Sequence, residues 1–173
     1  MGSWREIARH FMKKAVKDKS LVGAAGEHLV LARLLSRGLL ASQAPRGTRK
    51  ADLLVNPLDG GKPRLIQVKT RSAVGKSLGW HMSLKHESIS ERDLFYCFVN
   101  LDLLAPTVYV IPSRFVAKVV RDSHAEWLSL PGQKGQKHND SDMRRIKNDY
   151  GPTFKSIKPG WMNKFLEAWE LLD

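Results

Sequence analysis

Apolar positions recur at helical spacing at both ends of the chain and alternate with polar ones in the middle. Trp4, Ile7, Ala8, Phe11, Met12 and Ala15 predict a helix over residues 4–19, with Lys13, Lys14, Lys17 and Lys19 on the opposite face. Ser20 is placed to cap a second helix over 21–37, which Gly38 ends. Its apolar surface is broad: Val22, Ala25, Leu29 and Ala32, joined by Val30, Leu31, Leu34 and Leu35. The pattern then changes. Residues 39–44 suggest a short strand, and 51–55 and 64–70 are clearer strands, separated by the turn signals of Asn56, Pro57, Asp59, Gly60, Gly61 and Pro63. Two buried strands follow at 93–101 and 106–112, then a helix over 113–128. Residues 131–151, rich in Gly, Lys, Asn and Asp, read as a loop. Pro159 opens a last helix whose stripe is Trp161, Phe165, Ala168, Trp169 and Leu172. This order of elements predicts an α/β fold with a central mixed β-sheet flanked by helices. It divides into a basic N-terminal helical extension (1–19), a core (20–130), and a basic loop with a C-terminal helix packing on that core (131–173).

Composition changes this picture in one respect. The 173 residues, with 42% hydrophobic and 27% charged, are those of an ordinary globular domain. The charge is not: 29 Lys and Arg against 17 Asp and Glu give a net charge of +12. A field of that sign favours a polyanion, nucleic acid or an anionic membrane surface. No apolar run reaches the length of a membrane span, and the N-terminus lacks the apolar stretch of a secretory signal. Cys97 is the single cysteine, so no internal disulfide and no cysteine-based zinc site is expected. It sits in the apolar run 94–99 and reads as a core thiol. A reducing, cytoplasmic location is the corresponding expectation.

The candidate chemistry lies in the two central strands. Side chains alternate along a strand, so Leu65, Gln67 and Lys69 share one face. In a hairpin centred on Asp59-Gly60, Asp52 stands opposite Gln67 on that same face. Asp52 can offer a carboxylate and Gln67 an amide oxygen to a hard cation such as magnesium. Glu27 lies within the apolar stripe of the second helix, where burying a carboxylate is costly without a cation or donors, and it can add a second acid. Lys69 can orient or deprotonate water, or neutralise charge on a phosphate. Taken singly, each residue also has a structural reading: Asp52 as a turn cap, Gln67 and Lys69 on a solvated strand, Glu27 paired with an arginine.

Gly26-Glu27 in a helix, Asp52 on a strand, a turn, then Gln67-Val68-Lys69 on the next strand together resemble the PD-(D/E)XK nuclease superfamily, including its bacterial intron-homing and Holliday-junction-resolvase-like members. The motif-bearing part covers about residues 22–71. The resemblance implies a restriction-endonuclease-like core and magnesium- or manganese-dependent cleavage of DNA. It makes Asp52 the central metal ligand, Gln67 the occupant of the D/E position, Lys69 the catalytic lysine and Glu27 the helix carboxylate. Two departures stand out: Ala51 replaces the proline before Asp52, and Gln67 replaces an acid.

Around this core lie candidate nucleic-acid contacts. Arg46, Arg49 and Lys50 precede Asp52, while Arg71, Lys76 and Trp80 follow Lys69. Lys134, Lys137, Arg144 and Arg145 form a late basic region. Trp80 has two readings, stacking on a base or packing in the core. His81 is read as a structural hydrogen-bonder before a base. Residues 73–77 end like a phosphate-binding loop, but Thr70 stands where its first glycine belongs, which excludes that site. The C-terminal aromatic stripe fits a core or a homodimer surface. Three functions stay open: a DNA endonuclease, a catalytically inactive nucleic-acid-binding module on the same fold, and a basic protein-interaction domain.

Overall fold

The computed structural model describes residues 18–72, 79–102, 105–132 and 134–172. The predicted helix over 4–19 therefore lies almost wholly outside the described residues, as does Lys76. Helix α1 runs Lys19–Leu35 and begins two residues earlier than its sequence signal. Asp18 caps it in place of Ser20, with Oδ1 accepting from the amides of Ser20 (2.8 Å) and Leu21 (3.4 Å). A carboxylate at this end also meets the positive pole of the helix. Gly38, at φ 80°, turns the chain out of the helix. Val22, Gly26, Val30 and Leu34 form the buried row.

The main sheet has five strands: β1 (Leu40–Gln43), β2 (Leu53–Asn56), β3 (Arg64–Ser72), β5 (Leu94–Leu101) and β6 (Thr107–Pro112), in the order β1-β2-β3-β5-β6. Among the described residues only β3 and β5 pair in parallel, so the sheet is mixed as expected. In the β2–β3 pair, Leu53 faces Ile66, Leu54 faces Leu65 and Val55 faces Arg64. This is the register required by a turn centred on Asp59-Gly60.

Each face of the sheet has its own core. On one, Leu53, Val55, Ile66, Val68, Cys97 and Val110 pack with Val30 and Leu34 of α1 and with Trp169 and Leu172. Burial holds the Cys97 thiol well above its ordinary pKa, as suits a core residue. On the other face, Leu94, Tyr96, Phe98 and Ile111 pack with Val116, Val119 and Val120 of helix α2 (Ser113–Ser129).

Two parts of the sequence reading are corrected. Within the expected loop 131–151 lies strand β7 (Met143–Ile146), which pairs antiparallel with β4 (Trp80–Ser83) as a separate two-stranded ribbon. Its inward residues Trp80, Met82 and Ile146 join the second core. The expected C-terminal helix is instead two short 3₁₀ turns, Asn163–Phe165 and Trp169–Leu172. Between them Leu166 bridges to Tyr109, and Glu167 takes φ 51°. The Glu167 amide donates to Val108 O (2.8 Å), and its carboxylate accepts from the amide of Val108 (2.9 Å) and from Arg33. Pairing to the edge of β6 thus displaces helical bonding. The stripe itself is core: Phe165, Ala168, Trp169 and Leu172 are all buried. No helix among the described residues is long and apolar enough to cross a membrane.

Candidate active site

Asp52 immediately precedes β2, and the sheet grips it at two points. Its amide donates to Ile66 O (2.8 Å), and its Oδ2 accepts from the Val68 amide (2.7 Å). The carboxylate is therefore pinned against β3 between Gln67 and Lys69, as the alternation argument requires. Leu53 and Val55 point into the α1-side core, so Asp52 and Leu54 take the opposite face. Gln67 Oε1 is buried and has no hydrogen-bond partner among the described residues, which is costly for an amide oxygen.

Lys69 is half-buried on the same face. Burial lowers the pKa of its ammonium, nearby Asp52 opposes that shift, and Lys85 reinforces it. Glu27 reaches the site from α1. Its carboxyl is raised first by burial and then by repulsion from Asp52, so the two acids share one electrostatic neighbourhood. Gly26 permits this approach, because a β-carbon there would collide with Thr70 of β3.

Asp52, Gln67 and Lys69 thus share one end of the β2–β3 pair, and Glu27 comes within electrostatic reach of Asp52 from α1. Among the described residues no group of three or more His, Cys, Asp or Glu could hold a metal. The oxygen set here is of another kind, two carboxylates and one amide. An unpartnered buried amide oxygen beside two mutually repelling acids fits a hard, oxygen-preferring cation.

Two residues of this neighbourhood carried no sequence signal. Tyr96 of β5 lies beside Gln67 in the parallel register, and His86 follows β4 in a 3₁₀ turn, Leu84–Glu87. Their rings meet edge to face with centroids 6.0 Å apart. His86 Nδ1 lies within hydrogen-bond distance of the Ser83 amide (3.1 Å), hydroxyl (3.0 Å) and carbonyl (3.0 Å), so Ser83 anchors the ring in either neutral tautomer. Among the described residues, His86 Nε2 and the Tyr96 hydroxyl are both buried without a partner. Burial, then Ser83 in opposition, then Lys69 and Lys85 leave the His86 pKa lowered. Only the β3–β5 pairing and the turn after β4 bring these groups together, and neither is local in sequence.

The candidate nucleic-acid contacts divide. Arg46, Arg49, Lys50, Lys134, Lys137 and Arg145 are exposed, although Lys50 is ion-paired with Glu91. Arg71 is half-buried, stacks on Trp80 at 4.1 Å and donates to Asn100 Oδ1 (3.2 Å). Trp80 is no base-stacking platform: it is 2% exposed and donates from Nε1 to Val99 O (2.9 Å). Arg144 is likewise withdrawn from any ligand. It is 4% exposed, ion-paired with Glu87, and bonded to the carbonyls of Ser141 and Met143.

No protein-family model matches the chain, and no curated protein sequence matches it. Among solved structures, the chain is similar to a bacterial homing endonuclease, I-Ssp6803I, with a TM-score of 0.53 and 15% sequence identity. The match covers 91% of this chain and 92% of the other. At that identity the likeness is one of fold: the two chains share an α/β architecture.

Proposed function

We propose that this protein is an endonuclease that hydrolyses phosphodiester bonds in DNA, with magnesium or manganese held by Asp52, Gln67 and Glu27 in the manner of the PD-(D/E)XK nucleases. The observation that carries this reading is the buried Oε1 of Gln67, without a partner among the described residues, on the face that also bears Asp52 and Lys69. When bound, such an ion supplies Lewis-acid polarisation of a phosphate oxygen and makes water more acidic. The chain's own residues supply the rest. The Val68 amide fixes the orientation of Asp52. Glu27 adds a second negative charge, whose repulsion with Asp52 a divalent cation relieves. Lys69 holds its ammonium in a partly desolvated position, where its charge acts strongly on a phosphate in the transition state. The exposed cations Arg46, Arg49, Lys134 and Lys137 are available to DNA phosphates.

The test is cleavage of supercoiled plasmid and linear duplex with magnesium, with manganese, and with chelator, alongside calorimetric titration of the metal. Wild type is expected to cut only with metal, and Asp52→Asn to lose metal binding. Gln67→Glu should retain cutting and bind metal more tightly. If wild type never cuts but Gln67→Glu does, the protein is a binding module whose catalysis was lost at that position. If neither cuts nor binds metal, the enzyme reading fails.

A further inference from the structure

We infer that the β4–β7 ribbon reads base edges in the major groove of duplex DNA, with Arg145 and His81 as its principal contacts. This rests on the proposed DNA endonuclease reading and identifies how such an enzyme would choose its site. The ribbon has two unlike faces. Trp80, Met82, Arg144 and Ile146 point into the protein and are buried. His81, Met143 and Arg145 point away, with His81 opposite Arg145, while Ser83, opposite Met143, is half-buried with its hydroxyl held at His86 Nδ1 (3.0 Å). Neither the His81 nor the Arg145 side chain has a hydrogen-bond or ion-pair partner among the described residues. Met143 is 61% exposed, and Leu84, which continues the ribbon, is also exposed. Outward donors beside an exposed apolar side chain match the major groove, where guanine offers two acceptors and thymine a methyl group.

Width favours the same groove. Two strands ~5 Å apart enter a groove roughly 12 Å wide, while the minor groove, at about 6 Å, is too narrow for the pair. The inner face holds the ribbon rigid. The Trp80 indole is anchored on Val99, and Arg144 is clamped by Glu87 and two backbone carbonyls. Gly79, at φ 143°, lets β4 begin where a β-carbon would strike the carbonyl of Ile146.

The ribbon also borders the candidate active site. Ser83 leads directly into Lys85 and His86, both within electrostatic reach of Lys69. A duplex whose scissile phosphate meets Lys69 would therefore present a neighbouring groove to the ribbon. Exposed Lys85 stands between them, placed for the phosphate backbone.

The test selects full-length protein binding from a pool of duplexes randomised in their central segment, with chelator present so that cleavage plays no part. Wild type is expected to enrich a short motif containing guanine. Arg145→Ala should lose discrimination at that base by about tenfold or more, and His81→Ala should relax an adjacent position. Methylation of guanine N7 should block wild type and leave Arg145→Ala unaffected. Because both side chains are exposed, unchanged thermal midpoints should accompany these losses. The inference is overturned if no motif is enriched, or if Arg145→Ala retains the wild-type motif. It is also overturned if Arg145→Ala weakens all sequences equally and lowers the salt slope by about one, the mark of a phosphate contact. Selective binding without cutting under any metal would sink the enzyme reading and leave the ribbon standing. Cutting without base preference would do the reverse.

Discussion

A β-carbon on Gly26 would lie 2.8 Å from both Cβ and Cγ2 of Thr70, so α1 crosses β3 at a separation that excludes a side chain. This contact sets how deeply the next residue, Glu27, is carried toward Asp52. Two effects oppose each other in Gly26→Ala. Alanine favours the helix by about 1 kcal/mol, whereas overpacking a stiff β-branched neighbour costs about 1–3 kcal/mol. The clash should win. Gly26→Ala is expected to lower the urea midpoint, and adding Thr70→Ala should recover part of the loss.

Lys69→Met separates chemistry from stability. The lowered pKa of Lys69 means that the folded protein disfavours its charged form. An apolar side chain of similar length should therefore leave the thermal midpoint unchanged or raise it. DNA cleavage, in contrast, should fall by about a hundredfold or more. A large drop in both would mean that Lys69 holds the fold together.

His86 governs part of the acid response. Its folded pKa lies below the ordinary value of about 6.5. Between those two values the unfolded chain binds a proton that the native ring refuses. Stability should therefore fall as pH drops through the ordinary value, and the loss should level off below the folded one. Urea unfolding from about pH 8 to about pH 5 is expected to show a shallower decline in His86→Gln than in wild type. Equal slopes would show that His86 gains no proton on unfolding.

Adjacent arginines on β7 should behave oppositely. Arg144→Ala leaves Glu87 without its buried partner, a change that typically costs about 3–5 kcal/mol. Partial exposure of Glu87 places the expected loss at the lower end. Arg145→Ala, on the exposed face, should shift stability by no more than about 0.5 kcal/mol. Denaturant midpoints of the two variants are the direct comparison, and similar values would mean that β7 is not held by its inner face.

Local patterns were enough to determine the face shared by Asp52, Gln67 and Lys69. Strand alternation and one turn centred on Asp59-Gly60 specify the β2–β3 register, because a hairpin closes over few residues and a slip by one would turn Leu53 and Val55 out of the core. Glu27 was legible for a similar reason, as a charge set within a helical apolar stripe. Tertiary structure decided what non-local pairing controls. Trp80–Ser83 and Met143–Ile146 are short, each meaningful as a strand only beside the other, and their pairing buries Arg144 while exposing Arg145. The same holds for Tyr96 and His86, brought to Lys69 by a parallel pair and a turn after β4. The C-terminal stripe had the spacing of a helix. Leu166 and Glu167 bond instead to the edge of β6, because satisfying that edge outweighed a short helix with little cooperativity of its own.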